Sequence, residues 1–159
     1  MASFVDALVA SRRSPELDDA DDLFGFLIGH WSIQALLYSS DGRVQRSTGD
    51  IYASWVLEGR AIQDLFIFAS RYSTTLRTYD RGLRAWRVRF VNPIDDETSA
   101  ELVARRRGPN IEMDGKLSGG TPVRWWYETI TPTSFHYRAE RQESDGQSWR
   151  LYLELLGKR

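Results

Sequence analysis

The sequence predicts a mainly β protein, an antiparallel up-and-down barrel of roughly ten strands with one or two short N-terminal helices. Three observations predict it. Gly29-His30-Trp31 puts a large aromatic at the start of the first strand, directly after a glycine, where a small barrel closes its floor. Downstream of it, nearly every segment alternates apolar and polar residues with a period of two. Turn signals then punctuate the chain at Asp41-Gly42, Glu58-Gly59, Arg81-Gly82, Asp114-Gly115, Gly119-Gly120 and Asp145-Gly146, with no helical crossover between strands.

The elements follow in order. Ser3–Arg12 reads as a helix: Ser3 is an N-cap, Asp6 sits in the first turn, and Phe4/Leu8 and Val5/Val9 pair four residues apart. Pro15 breaks the chain. A second helix is expected from Asp19 to about Ile28, with Asp21 and Asp22 near its positive end and Gly29 just past its close. Leu23, Phe24, Phe26 and Leu27 from it are placed to plug one mouth of the barrel. Residues 1–22 are thus read as a helical segment and 23–159 as one barrel domain.

Strands are expected at 31–39, 45–57, 60–69, 74–80, 85–92, 100–106, 110–113, 116–117, 123–131, 134–141 and 148–156, the 116–117 piece reading equally as loop. Prolines 93, 109, 122 and 132 fall at strand ends, where a missing N–H does least harm. Alternation is clearest where Trp86, Val88 and Phe90 oppose Arg87 and Arg89. It recurs where Phe135, Tyr137 and Ala139 oppose His136, Arg138 and Glu140, and where Trp149, Leu151, Leu153 and Leu155 oppose Arg150, Tyr152 and Glu154.

Composition narrows the function. At 159 residues the chain is one domain long, and its aromatic share of 13% is high, which suits cores and ligand cavities alike. The net charge of -1 argues against a nucleic-acid surface, and Arg105-Arg106-Arg107 reads as a solvated strand end. With no cysteine there is no disulfide, thiolate metal site or cysteine nucleophile, a usage that suits the cytoplasm. No segment has the apolar length of a membrane helix, and the N-terminus lacks the basic region of a secretory signal.

Phe26-Leu27-Ile28-Gly29-His30-Trp31, Trp55-Val56-Leu57-Glu58-Gly59-Arg60, Thr78-Tyr79-Asp80 with Trp86, and Ser144-Asp145-Gly146-Gln147-Ser148-Trp149 occur in this order. In that order the chain resembles the bacterial calycin-like, lipocalin-like barrel families of unknown function. The resemblance implies a ten-stranded barrel around an internal cavity, and no particular reaction. There is a more distant similarity to the haem-binding nitrobindins, which share a Gly-x-Trp near the first strand. Those barrels carry a further glycine pair and an axial histidine on a late strand. Here Ser32 to Ala35 contain no glycine, and His136 falls in the water-facing phase, so no cofactor is expected.

The candidate site residues come from polar groups within apolar phases. His30 and His136 are the only histidines. His30 caps the preceding helix or lies at the barrel mouth, and is a candidate general base. No metal-ligand spacing, nucleophile elbow or phosphate loop is present, so no metal is expected. Asp64 shares a face with Ile62, Phe66 and Phe68, while Gln63 shares the other with Ala61, Leu65 and Ile67; either face fits the interior. Arg77 and Tyr79 share a face, as do Trp125 and Tyr127. A buried charge must be paired, so an interior Arg–carboxylate pair is either a structural bridge or the polar anchor of a pocket.

Two functions fit. The first is a barrel that binds a small, largely apolar or aromatic molecule, with Trp31, Trp55, Trp86, Trp125, Tyr127, Tyr137 and Trp149 as walls and Gln63 and Arg77 as orienting groups. The alternative is a cofactor-free isomerase, cyclase or lyase in the same cavity, with His30, Asp64 and Tyr79 as catalytic groups. The expected partner is a small molecule, with no nucleic acid and no membrane. The detached N-terminal helix also allows a homodimer.

Overall fold

Ten consecutive strands pair in chain order, and the last returns to the first. In the computed structural model, which describes Met1–Arg159, they are β2 (Gly29–Tyr38), β3 (Val44–Val56), β4 (Ala61–Phe68), β5 (Arg71–Asp80), β6 (Ala85–Val91), β7 (Ala100–Arg107), β8 (Asn110–Leu117), β9 (Pro122–Glu128), β10 (Ser134–Gln142) and β11 (Trp149–Lys158). Each is antiparallel to the next, and β11 pairs with β2 from Leu153↔Leu37 to Lys158↔Ser32, closing the ring. The expected up-and-down barrel is therefore the architecture. Closure leaves none of the ten as an open edge.

The two-residue period becomes inside and outside. On β6, Trp86 and Val88 are buried while Arg87 and Arg89 are exposed. On β4 the interior face is Ile62, Asp64, Phe66 and Phe68, which resolves the choice that the sequence left open. Gln63 lies on the other face and donates to Thr74 Oγ1 at 3.0 Å.

Both expected helices are corrected. The first is a single turn, α1 (Phe4–Leu8), with Ser3 and Asp6 forming a capping box. Val9 and Ala10 leave it to form a short strand, β1, opposite Val56 and Trp55. The second is replaced by two 3-10 turns, at Asp19–Asp21 and Gly25–Leu27. Asp22 accepts from the Gly25 N–H at 2.8 Å, a local bond that competes with continuation of a helix. The plug expected of this segment is present: Phe24 and Leu27 are fully buried. Two buried indoles hold its backbone, Trp31 Nε1 donating to Leu27 O at 2.9 Å and Trp86 Nε1 to Asp21 O at 2.7 Å.

Three further departures have local causes. Asp114-Gly115 is not a turn but the middle of β8, which absorbs the 116–117 piece. A Cβ at Gly115 would lie 1.9 Å from Glu101 O, so the residue permits a close approach of β7. Ala69-Ser70 forms an unannounced two-residue hairpin, with both residues at positive φ, 49 and 63 degrees. A bulge shifts the register of β10 and β11 between Ala139 and Glu140. Beyond it the phase of β11 inverts, so Tyr152 joins Leu153 at the interior, and Trp149 lies outside against Arg124 with 4.4 Å between guanidinium and ring centre.

Candidate functional site

The plug fills one end of the barrel and a cavity of about 310 Å³ occupies the rest, opening at the other end. Its depth is set by register. Phe66, Phe68, Phe90 and Leu153 line the outer part, near the ends of their strands remote from the plug. Asp64, Arg77, Tyr127 and Tyr137 form the base, directly above Phe24 of the plug. Fourteen of the twenty lining residues are hydrophobic. A broad depression of about 680 Å³ also lies outside the barrel over β2, β3 and β4. It is shallow and edged by Ser32, Gln34, Thr48 and Lys158, and has no buried polar group, so the interior cavity is the better candidate.

The base is built from adjacent strands. Asp64 is opposite Thr75, and Arg77 is opposite Ile62, so the two charged residues are diagonal neighbours on the interior face. Arg77 Nη1 donates to Asp64 Oδ2 at 2.6 Å, and both side chains are only 4% exposed. Nη2 donates to the Tyr127 hydroxyl at a long 3.4 Å, and the guanidinium lies over the Phe24 ring, 5.0 Å from its centre. Nε has no hydrogen-bond partner. The pair is thus held at one point rather than by a fork, and one buried donor is left unpaired.

Burial dominates the titration of the tyrosines. It pushes Tyr127 up to about 12, against the opposing pull of Arg77. Tyr137, whose ring meets that of Tyr127 edge-on at 5.0 Å, is also raised by burial. Tyr152 is pushed up to about 12 by burial, although the Trp125 indole, which donates to its hydroxyl at 2.7 Å, and Arg141 pull the other way. All three hydroxyls are therefore neutral at physiological pH. Burial disfavours the charge of Arg77, but Asp64, Tyr127 and Tyr137 together outweigh it and the group is raised overall.

The structure brings together some predicted residues and disperses others. Asp64, Arg77, Trp125, Tyr127 and Tyr137 all line the cavity. Trp31, Trp55 and Trp86 are core residues outside its lining. Tyr79 faces inward but lies at the plugged end, against Trp86 and Asp21. Gln63 and Trp149 are on the outer face. His30 neither caps a helix nor meets the cavity: it lies outside, stacked on Tyr52 with ring centres 4.5 Å apart and Nε2 2.6 Å from Asp50. His136 is on the outer face, as its phase requires, between Glu128 at 3.2 Å and Glu154 at 3.1 Å. With neither histidine inside, the interior offers no axial imidazole of the kind the distant resemblance to the nitrobindins implies. Sequence reasoning missed Tyr152 and Arg141. The inward phase of Tyr152 depends on the bulge, which no residue in the sequence marks, whereas Arg141 simply continues the phase of Phe135, Tyr137 and Ala139 and could have been read from it.

No known family pattern matches the sequence, and no curated protein matches it. Similarity appears at the level of structure. The crystal structure of Rv2717c from M. tuberculosis superposes with a TM-score of 0.63 at 14% identity, over 90% of this chain and 98% of that one. A structure of EF1p2_mFAP2b bound to DFHBI gives a TM-score of 0.41 at 14% identity, over 84% of this chain and 94% of that one, too low to carry weight. What the first match establishes is the fold: the chain is a closed antiparallel barrel of the same architecture as Rv2717c.

Proposed function

We propose that this protein is a calycin-like barrel that binds a small, largely apolar or aromatic molecule in its interior cavity. The observation that carries the reading is the cavity itself: about 310 Å³ of space walled by aromatic and aliphatic side chains, with a polar base at its end. That is near the lower end of small-molecule pockets and holds the volume of about ten waters, the size of a one- or two-ring compound. Phe66, Phe68, Phe90 and Trp125 supply apolar area, and the tyrosines and the ion pair fix orientation.

Native mass spectrometry of the purified protein tests this. A retained small molecule that is lost on denaturation supports the reading and gives the ligand's mass. An apo mass, with no rise in thermal stability across a panel of aromatic and aliphatic compounds, overturns it.

One observation favours the alternative, a cofactor-free enzyme: Asp64 is an inward carboxylate in an apolar cavity. Its engagement with Arg77 makes a counter-ion role the simpler account. An isomerase, cyclase or lyase activity abolished by Asp64→Asn in a variant that stays folded would establish the enzyme. Unchanged turnover in that variant would remove Asp64 from the chemistry.

A further inference from the structure

We infer that the ligand of this cavity is a monoanion, an apolar ring body bearing one carboxylate, bound with its charge at the open rim against Arg141. The inference rests on the cavity reading above and specifies its ligand.

Charge is the first ground. Three charged residues line the cavity: Asp64, Arg77 and Arg141. Asp64 and Arg77 neutralise each other at the base, which leaves one positive charge. Arg141 is directly opposite Val123, whose side chain is buried in the interior, so the unbroken alternation of β10 through Tyr137 and Ala139 places Arg141 in the inward phase at the rim. The acids around it are already engaged. Glu140 pairs with Arg124 at 2.5 Å, and Glu143 pairs with Arg150 at 2.7 Å. Glu128 and Glu154 lie further along the strands on the outer face, held by His136 and Arg138. Asp95, Asp96 and Glu97 are exposed on the loop between β6 and β7 and do not line the cavity. Arg141 forms no ion pair with any of them.

The remaining rim groups explain why the anion would seek Arg141. Asn92 Nδ2 donates to Thr98 Oγ1 at 2.9 Å, Thr98 Oγ1 donates to Asp95 O at 2.8 Å, and Asn92 Oδ1 accepts from Ile94 and Asp95. Those two side chains satisfy each other and their own loop. The Tyr152 hydroxyl accepts from Trp125, which leaves its proton free to donate. The Arg141 guanidinium, the Tyr152 O–H and the second N–H of the Asn92 amide are thus the donors left at the mouth, and Arg141 alone among them is charged. A planar carboxylate suits them, whereas a phosphate would bring nearly two charges against one. An anion driven to the base would lose its water and meet Asp64. At the half-exposed rim it keeps part of its hydration while the rings fill the aromatic interior.

The test uses N-phenylnaphthylamine, an uncharged dye that fluoresces in dry cavities, and two competitors that differ only in charge, naphthoate and naphthamide. The expected result is that naphthoate displaces the dye about tenfold more effectively than naphthamide, as a charge-assisted hydrogen bond gives. Arg141→Gln should equalise the competitors without loss of dye binding, and Arg141→Lys should keep most of the preference. Equal displacement by both competitors in the unmodified protein, or a preference that survives Arg141→Gln, overturns the inference and leaves the cavity reading standing. Failure of all three compounds to bind the unmodified protein overturns the cavity reading and the inference with it.

Discussion

Arg159, the last residue of the chain, lays its guanidinium over the Trp31 ring, 4.2 Å from the ring centre. From there it donates to Ile28 O at 2.5 Å, Pro132 O at 2.9 Å and Phe26 O at 3.3 Å. The Arg159 side chain thus fastens the plug formed by residues 19–28. Arg159→Ala should lower stability by about 1–2 kcal/mol, the scale of a cation–π contact with a few partly exposed hydrogen bonds. Urea unfolding measures it, and a loss under about 0.5 kcal/mol, the range of ordinary surface substitutions, would remove the fastening role.

Asp64 and Arg77 invite a double-mutant cycle. Asp64→Ala strands a buried guanidinium and should cost about 3–5 kcal/mol. Asp64→Leu combined with Arg77→Met removes both charges and should recover most of that loss. A double variant as unstable as the sum of its parts would show that the pair contributes more than mutual neutralisation.

Gly115 predicts a backbone effect free of chemistry. An alanine there meets Glu101 O and the Leu102 Cα, neither of which moves without distorting β7. Gly115→Ala should cost about 2 kcal/mol or more, as overpacking does. Gly119→Ala, with open space at its Cβ, should stay within about 0.5 kcal/mol. Equal effects in thermal melts would contradict the close approach of β7 and β8.

The buried tyrosines set an alkaline limit. Tyr127 and Tyr152 titrate near 12 when folded, against 10.0 for the ordinary phenol. Between those values the unfolded chain releases protons that the native state keeps, so the native state binds more protons and stability falls as pH rises. Below pH 10 neither group contributes to this fall. Above it, each removes at most about 3 kcal/mol as pH approaches 12. Phenolate absorbance should show a late fraction that appears together with unfolding, and Tyr127→Phe should flatten the decline. Seven tyrosines titrating together while the fold persists would contradict the burial of these hydroxyls.

Much of the barrel was legible because its information is local. Trp86-Arg87-Val88-Arg89 declares both faces of a strand in four residues. Asp64 and Arg77 were legible as misfits in apolar phases, and both reached the cavity base. What failed depended on partners distant in sequence. Asp114-Gly115 looks like a turn until Glu101 is set against it. Residues 19–28 carry helix signals, yet the fold needs Phe24 and Leu27 as a stopper, and two tryptophan indoles capture the backbone instead. Trp149 and Tyr152 exchanged faces at a bulge. His30 was misplaced for a simpler reason: a residue beside a buried Trp on a strand must point the other way.

The plug has one more consequence. A barrel stoppered at one end is a cul-de-sac, and whatever enters must leave by the rim it entered. A guest of the proposed kind is therefore measured as it is admitted. The distance from Phe24 to the rim sets how much of it is sheltered, and any longer appendage stays outside, free to be recognised by something else.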